Sequence, residues 1–426
     1  MITHLSPGYA AGVLWQETAT PHPIAPQPLP DAVDVVIIGG GYCGLSAATE
    51  LAQRGRSVAI LDAHDLGWGA STRNGGMVLP DLKAGPESLT KRYGELGLRL
   101  HAAVEAAFDH VEHVIAAGSI DCAYERTGQL YLSHGQRAPA HLDALAIELA
   151  SVGSAAHVVR GDALRAEVGS AAFSAGLVVE RSGGLHPARF HAGLTRLAAA
   201  AGASLHPHTP ATAVTQAATR WRVSTPRGDI DAEHVLLATN AYADSLVPAL
   251  RRRVLPMGSF IIATEPLAPE VAQAVLPTGR MCFNDRHLLW YWRLDDAGRM
   301  VFGGRKRLGS VGLEEARDYL YQSMLEIYPQ LAGTKVERTW GGQVALTLDR
   351  LPHCGQVGGL WYATGCNGSG VALNTWLGHR MGAAIDGEPL PAFAELPPRP
   401  IPLHSLRRVW LPVVSAWFQH QDRRAS

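Results

Sequence analysis

The hydrophobic pattern changes period several times along the chain, and each change marks an element. Val33–Ile38 is a continuous apolar run rich in β-branched residues, which predicts a strand buried on both faces. Beyond a glycine-rich turn the spacing predicts a helix from about Leu45 to Gln53, ended by Gly55, and then a second buried strand, Ser57–Leu61. Helical periodicity returns at Leu98–Ala117, at Ala140–Ser151, from Pro187 to Gly202 and at Leu313–Tyr328. Strand alternation marks Thr127–Ser133 and Phe173–Val179. Short strands follow at Ser204–Leu205, Ala211–Val214, Arg220–Ser224 and Asp229–Asp231, leading to the apolar run His234–Ala238.

Val254–Arg305 is strand-rich, with its last two alternating segments joined through Asp295-Asp296-Ala297-Gly298, a hairpin signal. In Arg286–Leu294, alternation puts Leu289, Tyr291 and Arg293 on one face and Trp290 and Trp292 on the other, where core packing is the expectation for the tryptophans. Val336–Leu346 and Gly359–Ala363 read as strands. The second runs into a glycine-rich turn and a helix from Val371 to Ile385, stopped by Gly387 and Pro389. The segment Leu403–Gln419 is amphipathic with basic ends. It is expected to dock on the body of the protein, with a membrane surface or a partner as the alternatives.

Composition narrows this picture. A chain of 426 residues exceeds one typical core and predicts two domains. Hydrophobic residues make up 47% and the formal charge is −1, which leaves no nucleic-acid footprint. There is no run of about 20 apolar residues, hence no expected transmembrane span. The first 30 residues lack a basic n-region and an apolar h-region and form a Pro-rich arm expected to lie extended on the surface. Five cysteines without a CxxC pair and 19 scattered histidines argue against disulfides and a metal site, so a cytoplasmic, metal-free protein is expected.

The candidate chemistry starts at the first strand. Gly39, Gly41 and Gly44 form G-x-G-x-x-G between strand and helix, and Asp62 closes the next strand. Those glycines permit a tight turn, a close approach of backbone N–H groups to a pyrophosphate, and packing of the helix on the strand. The helix N-terminus favours the phosphates, and the acid is placed for an adenosine ribose. No Arg follows it, which argues against a 2′-phosphate; the unit alone leaves FAD and NAD open. In the stretch from His64 to Pro80, small residues flank Ser71, Thr72, Arg73 and Asn74, so backbone and polar groups can approach a ligand closely. The turn before Val371 supplies a second helix N-terminus, suited to an electron-rich ring edge or developing negative charge.

Seven blocks in order, VIIGGGYCGLSAATEL, GASTRNGG, GGLHPARF, LLATNAY, IIATEPL, TWGGQVALTLDRLPHCG and ATGCNGSGVAL, resemble the D-amino acid oxidase superfamily of FAD enzymes, and within it the γ-glutamylputrescine oxidoreductase branch. The resemblance implies an α/β FAD-binding domain with a Rossmann-type dinucleotide fold, assembled from residues 31–93, 185–246 and 336–387. An α+β substrate domain with a mainly antiparallel sheet would come from residues 94–184 and 247–335, flanked by the arm 1–30 and a tail 388–426. It places Gly39, Gly41, Tyr42, Cys43, Gly44, Asp62 and Ala63 on the ADP moiety and Val214 at the strand edge beside adenine. Ala70, Ser71, Arg73, Asn74, Gly75 and Gly76 fall near the isoalloxazine ring, Thr239 and Asn240 at the second return to the sheet, and Gly368, Ser369, Gly370 and Val371 near the pyrimidine edge.

The implied reaction is oxidation of a primary or secondary amine: hydride passes to flavin, water hydrolyses the imine, and electrons go to oxygen, giving hydrogen peroxide, or to another acceptor. Tyr291 and Trp340 are the candidates for an aromatic substrate lining, and Arg73 for stabilising reduced flavin. Relatives that clamp an α-carboxylate use an Arg for which Trp340–Ala345 has no counterpart, leaving Arg305 or Arg293 to serve from elsewhere. Ala345 stands near the Cys that anchors flavin in some members, and Asn74 where others place an aromatic-His pair, so noncovalent FAD is expected. Arg299–Gly304 lacks the Lys that sarcosine oxidases use toward oxygen. An amino-acid or N-methyl-amino-acid oxidase, and a non-catalytic flavin-binding or electron-transfer subunit, remain alternatives.

Overall fold

The computed structural model describes residues 4–134, 140–242, 246–396 and 399–425, and it is built on two sheets. The first has the order Ala213–Ala217, Arg220–Thr225, Gly228–Leu237, Ala32–Ile38, Val58–Leu61, Ser204–His206. Its central strands run parallel, with Leu236 opposite Ile37 and Ile37 opposite Ile60. Leu360–Thr364 joins the far end of Gly228–Leu237 in parallel and carries His353–Val357 as an antiparallel neighbour. The unbroken apolar run of Ala32–Ile38 follows from this position, because both faces are covered. Val35 and Ile37 pack under helices Tyr42–Gln53, Pro187–Ala200 and Gly370–Ile385, while Val36 and Ile38 belong to a second apolar cluster with Val223, Ile230 and Leu250.

The second sheet has nine strands, ordered Leu5–Ala11, Val336–Leu346, Leu255–Pro266, Arg299–Gly304, Trp290–Leu294, Met281–Asn284, Gln129–His134, Phe173–Val179, Ala156–Val159. All its pairings are antiparallel except those of its first two strands and of Met281–Asn284 with Gln129–His134. Its two faces differ. Trp290, Trp292, Phe302 and Ile262 pack against helix Leu313–Ile327 as core, as alternation requires, while Tyr291, Arg293, Ile261 and Trp340 point toward the first sheet's loops.

Two boundaries differ from the sequence expectation. Val336–Leu346, assigned to the FAD-binding part, belongs to the second sheet, where it pairs with Leu255–Pro266 along nearly its whole length. An alternating strand does not declare its partner, and only from His353 does the chain return to the first sheet. The N-terminal arm is more than a surface coil. Leu5–Ala11 is an edge strand beside Val336–Leu346, and Leu14–Glu17 forms a helical turn that buries Trp15 in the interior; the Pro-rich stretch that follows is coil. The amphipathic C-terminal segment is a helix, Arg407–Ala425, docked on the second sheet's side through Leu411. Among the described residues no helix is long and apolar enough to cross a membrane.

Candidate functional site

The first strand ends at a turn that no side chain could occupy. Gly39 has φ +112°, and a Cβ there would lie 2.9 Å from the Ala238 carbonyl oxygen. A Cβ on Gly44 would overlap the Gly39 carbonyl, so helix Tyr42–Gln53 rests directly on the turn. The helix N-terminus at Gly41 carries no side-chain cap, and Ser71 Oγ accepts from Tyr42 N–H at 3.1 Å from across the cleft. Asp62, at the end of the next strand, accepts from Gly40 N–H at 2.8 Å and His64 N–H at 3.0 Å. Burial pushes its carboxyl pKa up against those two bonds.

These groups border a cleft of about 640 Å³, a volume in the range of cofactor sites. Of the residues singled out from sequence, Gly39, Gly41, Tyr42, Cys43, Asp62, Ala63, Ala70, Ser71, Thr239 and Asn240 line it. Asn240, at φ +46°, accepts from Gly365 N–H at 3.0 Å and so ties two strand-to-helix turns together. Val214 instead packs among the apolar residues under the first sheet, and Pro210 and Ala211 line the cleft at that level. Gly368, Ser369, Gly370 and Val371 lie outside the lining at the start of helix Gly370–Ile385. Ser369 there is buried, caps nothing and has no hydrogen-bond partner for its hydroxyl among the described residues. A glycine turn into a helix start that lacks a cap of its own, a carboxylate at the strand tip and a cleft of this volume between them fit the dinucleotide expected from sequence.

The loop Ala70–Gly76 is held from all sides. Its last four carbonyls each take a donor from a different element: Arg73 O from Trp340 Nε1 (2.9 Å), Asn74 O from Trp15 Nε1 (2.9 Å), Gly75 O from Arg293 Nε (2.8 Å) and Gly76 O from Leu185 N (2.8 Å). Asn74 closes the loop from within, donating to Ala70 O and Ser71 O and accepting from Gly76 N–H. Arg73 donates to Trp68 O at 2.7 Å and Gly341 O at 3.2 Å with its guanidinium over the Trp68 ring. Arg293 is buried and donates also to Leu185 O at 2.6 Å and Leu294 O at 3.2 Å; burial holds its pKa down at about 10. Both arginines are therefore fasteners of backbone, which removes Arg293 as a carboxylate clamp. Trp340 is likewise buried, edge-on to Trp15 at 6.0 Å, and fastens the loop rather than facing open space.

Tyr291 lies over the loop. Its ring occupies the clearance above Gly75, where a Cβ would come within 3.0 Å, and that of Gly303 across the strand pair. Its hydroxyl is 3.1 Å from Ser259 Oγ, and burial raises its pKa. Arg305 follows Gly303 by two positions and so shares this face. It has no hydrogen-bond or ion-pair partner among the described residues, and burial pushes its pKa down despite the neighbouring Tyr291.

Sequence reasoning missed several contributors. Trp68, Tyr242 and Gln343 line the cleft, as do His404 and Arg407 from the C-terminal segment. His191, buried, donates Nε2–H to Gly40 O at 2.8 Å and supports the glycine turn from below; burial pushes its pKa down to about 4, so it is neutral. Only the density of small residues around Gly67, which clears the His191 ring, hinted at this packing.

Comparison with known proteins places the chain in a family. A family model described as FAD dependent oxidoreductase (DAO) matches residues 34–384. The chain is 30% identical over 397 residues to γ-glutamylputrescine oxidoreductase of Escherichia coli (strain K12), covering 92% of this chain and 93% of the other. It is 33% identical over 384 residues to the probable oxidoreductase OrdL of Rhizobium meliloti (strain 1021), covering 88% and 87%. Among solved structures, glycine oxidase from Geobacillus kaustophilus superposes with a TM-score of 0.74 at 21% identity, covering 88% of this chain and 99% of the other. The two-sheet fold is thus that of these flavoenzymes, and the cofactor is FAD. The chain belongs to the DAO family of FAD-dependent oxidoreductases.

Proposed function

We propose that the protein oxidises a primary or secondary amine to an imine, which water hydrolyses to a carbonyl compound. The observation that carries this reading is how the arginines near loop Ala70–Gly76 are used. Arg293 is committed to three backbone carbonyls and Arg73 to two, while strand Val336–Leu346 brings Gly341 and Gly342 to that level. Neither guanidinium is left beside the loop to clamp a carboxylate on the reacting carbon. The printed name of the Escherichia coli relative, γ-glutamylputrescine oxidoreductase, points the same way.

Bound FAD supplies the two-electron acceptor. The chain supplies the setting. The Tyr291 ring offers a face to an arriving alkylammonium, an interaction of about 0.5–2 kcal/mol. A dry site lined by a phenol and the Ser259 hydroxyl favours the neutral amine, the form whose lone pair can assist oxidation. With its pKa raised, the Tyr291 phenol stays protonated at neutral pH and adds no negative charge that would hold the amine as a cation. On this reading FAD would be held without a covalent bond, since Ala345 offers no nucleophile and Cys354 lies in the core under helix Gly370–Ile385 with its thiol pKa pushed up. Electrons leave to oxygen or to another acceptor.

A second reading rests on Arg305. An unpartnered guanidinium on the Tyr291 face suits a substrate with a carboxylate, as an amino acid or N-methyl amino acid has. Product analysis separates the two readings. On the amine reading, alkylamines give one carbonyl product per two electrons passed to the acceptor, that is per flavin reduced, and glycine and sarcosine give none; turnover of the amino acids alone would overturn it.

A further inference from the structure

The C-terminal helix Arg407–Ala425 docks through one face only. Asp422, buried, accepts from His287 N–H at 2.8 Å and Leu288 N–H at 3.1 Å, and Ser415 Oγ accepts from Leu308 N–H at 2.9 Å. Leu411 packs with Met257 and Leu308, and Phe418 stacks on His287 at 4.7 Å. A helix fastened this way should turn polar residues outward. This one turns an apolar stripe to water instead: Val409 and Val413 are each 71% exposed, Trp417 54% and Leu406, one residue before the helix, 52%. Their spacing of three and four residues places them in one line.

The exposed charges carried by the helix and by the turn at Arg252 have one sign. Arg408, Arg423 and Arg424 are exposed on the helix, and Arg252 is exposed on the turn whose carbonyl accepts from Ile401 N–H at 2.9 Å. None of the four has an acidic partner among the described residues, whereas Arg54, Arg160 and Arg222 on other surfaces are paired with carboxylates. Asp422 is the one acid between Arg399 and Arg424, and it faces inward.

We propose that this face binds an anionic phospholipid surface, the helix lying in the membrane plane with Val409, Val413 and Trp417 at the headgroup–acyl boundary and the arginines on lipid phosphates. A second copy of the chain is the poorer occupant, because a two-fold contact would set the same unpaired arginines against one another. His404 and Arg407, at the start of this segment, line the FAD cleft, so the docked face lies beside the cleft.

The test is co-sedimentation of the full-length flavin-loaded protein with phosphatidylcholine vesicles, with and without phosphatidylglycerol. Binding is expected to the anionic vesicles, to be lost at high salt, and to be abolished by Val413→Asp with Trp417→Asp. The pair Arg423→Gln and Arg424→Gln, which leaves the apolar stripe intact, should weaken it about 30-fold, from about 1 kcal/mol per basic residue. Absent binding, or equal binding to both vesicle types, overturns the proposal. So does a dimer in light scattering that Val413→Asp dissociates.

Discussion

Replacing Trp15 by Phe tests whether the four fastened carbonyls of residues 73–76 matter to the flavin site. The substitution keeps a ring against His186 and Trp340 but removes the N–H that Asn74 O accepts at 2.9 Å. Losing that bond at a part-buried carbonyl costs about 1 kcal/mol, and the indole contacts that Phe cannot reproduce add about as much. The sum, about 2 kcal/mol, is small against the whole molecule. With an unfolding entropy of about 2 cal/mol/K per residue over 426 residues, it lowers Tm by only about 2 °C. Concentrated on the ordering of one loop, the same energy raises the FAD dissociation constant about 30-fold. Flavin titration of deflavinated protein, followed by fluorescence quenching, is therefore the sensitive assay. Trp15→Ala should go further, by about 3–5 kcal/mol. A Trp15→Phe protein that binds FAD within about twofold of the parent would refute the reasoning, since a 1 kcal/mol loss alone predicts about fivefold.

Three further outcomes are expected. Gly44→Ala sets a Cβ into the Gly39 carbonyl, backbone against backbone, so the purified protein should lose bound flavin, read as the ratio of visible to ultraviolet absorbance. His191 is neutral when folded, with a pKa of about 4 against an ordinary 6.5. The unfolded chain binds the extra proton between those values, so about 3 kcal/mol of stability, complete above pH 6.5, is lost as pH falls toward 4. Denaturant midpoints should fall more steeply over that window than in His191→Gln. Arg305→Gln should raise KM for substrates carrying a carboxylate about 10-fold or more while leaving kcat on plain alkylamines within about twofold, measured by steady-state turnover.

Much of the fold is written locally. The first strand, glycine turn, helix and acid lie within Val33–Asp62, where each signal supports its neighbour, and the alternation at Trp290–Arg293 correctly separates core rings from the Tyr291 face. What escapes the sequence is non-local. Val336–Leu346 reads as a strand but does not say which sheet it joins. Trp15 and Arg293 read as an arm residue and a possible clamp, yet both are donors to carbonyls of one loop, 59 and 218 residues away. A bond to a main-chain oxygen demands only a donor at the right place, so it leaves no mark on the residue that accepts it. The C-terminal helix shows both limits: its amphipathic pattern predicted docking, while its outward apolar stripe emerged only once the buried face was known.

Anaerobic mixing of the flavin-loaded protein with a panel of diamines, acylated diamines, N-methyl amines, glycine and sarcosine tests the proposed activity most directly, by following loss of the visible absorbance of oxidised flavin. Rapid bleaching by an amine that lacks an α-carboxylate, slowed in Tyr291→Ala, is the predicted result. Bleaching by glycine or sarcosine alone, or by no member of the panel, would contradict the account.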